Sequence, residues 1–84
     1  MITTKGCEGC KIIDKLIKEA LGLYKKEVTY VIKDKDEVDK DFLKTWYVND
    51  FPSTFLIEND EVIFNFSGTR PAAVISRYMN THFS

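Results

Sequence analysis

The sequence predicts an α/β domain in the order βαβαββα, with a four-stranded mixed sheet and helices on both faces. Its first half sets apolar residues at 12, 13, 16, 17, 20 and 21 between a short extended segment and a β-branched run. That spacing is the stripe of an amphipathic helix, and a helix joining two strands makes a right-handed βαβ unit with parallel strands. Further on, two apolar strand-forming segments flank Asn59-Asp60, which predicts an antiparallel hairpin. Pro71 then opens a last segment with helical spacing of its apolar residues.

In chain order, Met1-Ile2-Thr3-Thr4 has room only for a very short strand, and Lys5-Gly6 turns the chain into the first helix. That helix is expected from about Glu8 to Leu23 or Tyr24, with Gly22 near its C-cap. Glu27 to Ile32 is β-branched and aromatic and reads as the second strand. Lys33 to Glu37 is a charged loop in which Asp34 or Asp36 can cap a second helix. This helix is expected from Glu37 to Tyr47, with Val38, Phe42, Leu43 and Trp46 near one face, and Val48-Asn49-Asp50 ends it. Pro52 opens the strand Ser53 to Ile57, a position where no ladder donor is lost. Glu61 to Phe66 is its hairpin partner, and Ser67-Gly68-Thr69 breaks that strand. In the last helix Pro71 is expected at the first turn with Thr69 or Arg70 as cap, and Val74, Ile75, Tyr78, Met79 and Phe83 as the buried stripe.

Eighty-four residues, 44% of them apolar, suffice for one domain with one core, assigned here to 1–84. The net charge of −1 is spread over interspersed acids and bases, so no basic face points to nucleic acid. No apolar run is long enough to span a membrane, and no apolar leader segment opens the chain. The expected compartment is therefore the cytoplasm, where a close cysteine pair is more often catalytic or metal-binding than a structural staple.

That pair is Cys7-Glu8-Gly9-Cys10, placed where the first helix begins. Cys7 at the N-cap faces unpaired amides and the positive end of the helix dipole. A thiolate is favoured there, and in such motifs its pKa falls from about 8.5 to roughly 3.5–7.5. Glu8 beside it opposes that effect, while Lys5 and Lys11 offset Glu8. Cys10, inside the first turn, is more shielded and suits a resolving thiol. An inert disulfide is one rival reading, although a ring this small adds little loop-closure stabilisation. Zinc is another, but a lone pair is half a site, and His82, the other soft ligand, reads as a surface or helix-end residue. No metal site is expected.

The element order, with Cys-x-x-Cys opening the first helix, resembles the thioredoxin fold in its minimal, glutaredoxin-sized form. Trp46, Val48, Pro52, Ser53, Asn59, Asp60, Glu61, Val62 and Gly68 fall without a gap on the thioredoxin pattern. That pattern has an aromatic and an aliphatic residue ahead of a Pro-Thr pair, a hydrophobic strand, an Asn-Gly turn, Glu-Val and a glycine. Ser67-Gly68-Thr69-Arg70-Pro71 also resembles a stretch of glutaredoxin-like redoxins that serve ribonucleotide reductase. The middle pair Glu8-Gly9 differs from the Gly-Pro and Pro-Tyr of the two families, and Phe51-Pro52 and Gly68-Thr69 do not reproduce the glutathione-binding motifs of glutaredoxins.

The resemblance implies a thiol–disulfide oxidoreductase, an electron carrier with Cys7 as nucleophile and Cys10 as resolving thiol. It needs no cofactor beyond the Cys7–Cys10 disulfide. It implies a cis Phe51–Pro52 bond facing the disulfide, with the backbone at Phe51 free to pair with an extended substrate. Glu8, Gly9, Phe51, Pro52, Gly68 and Thr69 are the expected substrate contacts. For Trp46 and Tyr47 packing of the second helix is at least as good a reading as a substrate groove, and for Arg70 a turn is the better one. The expected partners are protein disulfides, ribonucleotide reductase being one candidate, and an upstream reductase or glutathione, with no nucleic acid or membrane. A monomer is expected. The alternative is a non-catalytic thioredoxin-fold module that presents the Phe51 and Gly68 loops to a partner protein.

Overall fold

Ile2–Thr3 (β1) lies at the middle of the sheet, between a parallel and an antiparallel neighbour, in a computed structural model that describes residues 1–83. The elements that follow are the helix Glu8–Tyr24 (α1), Lys33–Asp34 (β2), a 3₁₀ turn at Lys35–Glu37 and the helix Lys40–Thr45 (α2). Ser53–Glu58 (β3), Glu61–Ser67 (β4) and the helix Ala72–His82 (α3) complete the chain. The sheet order is β2-β1-β3-β4, with β2 parallel to β1 and the other pairs antiparallel. The predicted βαβαββα order and mixed four-stranded sheet hold.

The core forms where the apolar faces of α1 and α3 meet one face of the sheet. Ile13, Ile17, Ala20 and Tyr24 of α1 pack with Leu56, Phe66, Ile75 and Met79. Helical spacing brings 13, 17, 20 and 24 to one side. The expected stripe is one residue too wide, because Ile12 is 56% exposed on the flank. Strand alternation sends Leu56 and Phe66 into this core and Phe55 to the other face. There Phe55 meets Phe42 of α2 edge-on at 5.1 Å and Trp46 at 6.2 Å, so helices do lie on both faces.

The second strand departs from expectation. It is Lys33–Asp34, not residues 27–32. The ladder pairs Ile2 with Lys33 and Thr3 with Asp34, and Val28 to Ile32 lie outside it. Only Met1 continues the contact, its amino group donating to the Val31 carbonyl at 2.8 Å and its carbonyl accepting from Lys33 N–H at 3.0 Å. Val31 and Ile32 are exposed. An apolar cavity of about 500 Å³ opens between this segment and β3, beside Val28, Tyr30, Phe42 and Phe55, and no residue of the 7–10 loop lines it.

The second helix is also shorter than expected. Asp34 caps the 3₁₀ turn, accepting from Asp36 N–H, while the Glu37 side chain accepts from Asp34 N–H. Asp39 then caps α2, so two caps divide what reads as one helix. Gly22 lies within α1, and the left-handed C-cap is Lys25, φ 63°. Pro71 is itself the N-cap of α3, without a side-chain cap bond, so neither Thr69 nor Arg70 takes that role.

Asn59 and Asp60 both have positive φ, 54° and 65°, as a two-residue turn of primed type demands. A β-bulge in β4 falls between the Leu56↔Phe64 and Ile57↔Val62 pairs. Asp60→Gly removes the Cβ from a left-handed position and is expected to stabilise the domain by roughly 0.5–1 kcal/mol. Urea denaturation checks this, and an unchanged or lower midpoint would contradict the turn geometry.

Candidate active site

Cys7 and Cys10 are joined by a disulfide with Cα atoms 5.3 Å apart. Gly6 makes the turn into the helix at φ 73°. Cys7 is the N-cap of α1 in an extended conformation, and its Sγ accepts from Cys10 N–H at 3.0 Å. One sulfur thus satisfies an amide that the start of a helix leaves unpaired. Cys7 is half-buried, whereas Cys10 is 7% exposed. Their exposures fit an accessible attacking sulfur and a shielded second one.

The loop from Asp50 to Ser53 packs against this helix start. The Phe51–Pro52 peptide bond is cis. Pro52 is buried, and a Cβ built on Gly9 would stand 3.6 Å from Pro52 Cδ. A side chain at residue 9 would therefore come into van der Waals contact with the proline loop. The Ser53 hydroxyl donates to the Asp50 carbonyl at 2.6 Å and tightens the bend. Gly68 N–H donates to the Pro52 carbonyl at 2.9 Å, so the end of β4 braces the same loop. Gly68 has φ +78°, a conformation that favours glycine.

The structure therefore brings Cys7, Gly9, Cys10, Pro52 and Gly68 into one linked region. Phe51 is half-buried in the bend, and Glu8 is exposed on the first turn of α1. Thr69 is exposed in the next turn, its carbonyl accepting from Arg70 Nη1 at 2.8 Å. Arg70 folds back over that turn, also donating to the Ser67 carbonyl, with its cation 5.4 Å from the Phe66 ring centroid. Trp46 packs on Phe42 and Phe55, while Tyr47, 84% exposed, belongs to no core. His82 ends α3 and stacks on Phe64 at 4.3 Å. Among the described residues no group of three or more His, Cys, Asp or Glu side chains converges to hold a metal ion. Nor is any helix among them long and apolar enough to cross a membrane.

Behind the disulfide, a cavity of about 370 Å³ is lined by Thr3, Thr4, Cys7, Cys10, Lys11 and Asp14, among others. Asp14 was not singled out from the sequence. The Tyr30 hydroxyl donates to its Oδ1 at 2.9 Å, and the Lys18 ammonium stands 3.1 Å from Oδ2. The Tyr30 bond holds the Asp14 carboxyl below its ordinary range, against the opposing effect of burial and with further help from Lys18. Burial, and next the adjoining carboxylate, pushes the Tyr30 phenol up. The signal for Asp14 was its spacing of one helical turn from Cys10; its partner Tyr30, sixteen residues on, gave none.

A family model, Thioredoxin, matches residues 2–81. Among curated protein sequences none is significantly similar to the chain. Solved structures share its fold. Thioredoxin-2 of the malaria parasite superposes with a TM-score of 0.77 at 15% identity, over 96% of this chain and 78% of that one. Chloroplastic thioredoxin z gives 0.69 at 17% identity, over 95% and 72%. The germline-specific thioredoxin Deadhead of Drosophila melanogaster gives 0.69 at 15% identity, over 95% and 74%.

Proposed function

The chain belongs to the thioredoxin family, and from that premise we propose that it is a small electron carrier reducing protein disulfides through Cys7 and Cys10. The observation that carries this reading is the Cys7 sulfur at the N-cap of α1, half-buried, with Cys10 in disulfide reach behind it.

In the reduced protein Cys7 loses its proton at the positive end of the helix, and its thiolate attacks one sulfur of a target disulfide. A Cys7–target bond forms, the target S–S bond breaks, and the second target sulfur leaves as a thiolate that takes up a proton. Cys10 then loses its proton and attacks the Cys7 sulfur. The Cys7–Cys10 bond forms, the Cys7–target bond breaks, and the first target sulfur leaves. Two electrons pass from the dithiol to the target. An upstream reductase or glutathione returns them.

The loop at Phe51-Pro52, braced by Gly68, is suited to hold an extended target segment by backbone pairing, with Glu8, Gly9 and Thr69 at its edges. By its likeness to redoxins at Ser67–Pro71, ribonucleotide reductase is one candidate target, in the cytoplasm and with the carrier a monomer. The test is insulin reduction with dithiothreitol as donor. Wild type is expected to accelerate it, and Cys7→Ser to fall to the rate of dithiothreitol alone. A Cys7→Ser protein as fast as wild type would refute the assignment.

A further inference from the structure

We propose that Asp14 sets the order in which the two thiols of the reduced pair ionise, its carboxylate keeping Cys10 a thiol while Cys7 becomes the thiolate. This rests on the redox reading of the pair given above. Asp14 acts through Cys10, as a positioning residue; the exchange described above does not use it.

Asp14 follows Cys10 by four positions, so the two side chains rise from one face of α1 with Cβ atoms about 5–6 Å apart. Both line the same 370 Å³ cavity. Cys10 is buried there, where a charge is less screened than in water. Asp14 cannot swing away freely, because Tyr30 holds one carboxylate oxygen and Lys18 faces the other. Its carboxyl, held below the ordinary range, is ionised across the neutral range.

The other groups around the cavity do not produce this asymmetry. Glu8, also on α1, adjoins Cys7 directly and opposes ionisation there first. Lys11 is exposed and favours both thiolates. From the β1 side comes the Met1 amino group, which donates to the Val31 carbonyl. From the 28–32 segment Ile32 is apolar and Tyr30 is engaged with Asp14. The proline loop sends no ionisable side chain into the cavity.

A fixed negative charge one turn away opposes a second one on Cys10 by about one pH unit, or roughly tenfold in thiolate fraction. Cys7, at the helix start, is favoured in the opposite sense. The pair then begins exchange from one sulfur only. When Cys10 finally gives its proton to solvent and attacks Cys7, it does so as the more basic thiolate, which is the stronger nucleophile.

The experiment uses the full reduced chain with Cys7→Ser, so that Cys10 is the one thiol, and follows thiolate absorbance in the ultraviolet against pH at low ionic strength. Cys10 is expected to ionise above the ordinary thiol value of about 8.5. Adding Asp14→Asn, which keeps an oxygen for the Tyr30 hydroxyl, is expected to lower that midpoint by about one unit. Adding Lys18→Met on the exposed surface instead is expected to raise it, by releasing the carboxylate from its counter-charge. A fall of less than about 0.3 unit with Asp14→Asn, or no rise with Lys18→Met, overturns the proposal. Circular dichroism confirms that each variant is folded. The titration needs no turnover, so it stands apart from the insulin assay, whose failure would strike the redox reading alone.

Discussion

Reduced Cys10→Ser protein, mixed with an excess of a disulfide-bonded target and no other reductant, is expected to end as a stable one-to-one covalent adduct. Cys7 keeps its place at the helix start, so the first exchange goes forward. The second cannot, because the nucleophile that would strike the Cys7 sulfur from within the same turn is gone. A serine hydroxyl, with a pKa far above that of a thiol, does not displace a sulfur. A non-reducing gel reads the adduct, and dithiothreitol releases it. Wild type under the same conditions should show target reduced and its own disulfide closed. Wild type that accumulates the same lasting adduct as Cys10→Ser would mean that Cys10 is not the resolving thiol. The same experiment with Cys7→Ser should give no adduct at early times, since Cys10 is buried.

The second large effect concerns stability. Ile13 has no exposed surface and sits where α1, α3 and β3 meet, among Ile17, Leu56, Ile75 and Met79. Ile13→Ala deletes three carbons from a packed site flanked by two helices that cannot easily collapse into the void. The expected cost is about 3 kcal/mol, within the 2–5 found for such truncations. A domain this small has few kcal/mol in reserve, near the lower end of about 5–15. Urea denaturation should therefore show the midpoint falling by roughly 2 M or the protein partly unfolded in buffer. Ile12→Ala, one residue away and 56% exposed, is expected to stay within about 0.5 kcal/mol of wild type. Equal losses at 12 and 13 would mean that the helix faces the sheet differently.

Residues whose structure depends on near neighbours were readable in advance. The helix Glu8–Tyr24 follows the placing of its apolar residues, and Cys7 caps it because chain entry and first turn are set within a few residues. The hairpin Ser53–Glu58 and Glu61–Ser67 follows from two apolar runs around Asn59-Asp60, and the observed bounds differ from expectation by one residue each at Glu58 and Ser67. Val28 to Ile32 failed the same kind of reading. Their composition favours a strand, yet a strand is a pairing, and the pairs formed with β1 are those of Lys33 and Asp34. Asp34 and Asp39 each begin an element of their own, the 3₁₀ turn and α2, where one helix reads from the sequence. At the site, the cysteine pair and Pro52 carried recognisable patterns. Asp14 offered only its spacing of one turn from Cys10, because the rest of its setting comes from Tyr30 and from the cavity wall it shares with Cys10.

By itself, then, the order of residues determined the helices with clear apolar faces, the hairpin, the sulfur at a helix start and membership in a family. These rest on interactions spanning a few residues, where local spacing decides which groups meet. The tertiary structure alone decided that Gly9 faces Pro52, that Gly68 braces that loop, that β2 is Lys33–Asp34, and that Asp14 shares a cavity wall with the shielded sulfur. Each of these depends on segments far apart in sequence, brought together by burial of the α1–α3 core against the sheet, and their meeting is fixed by packing and register rather than by any run of neighbouring residues.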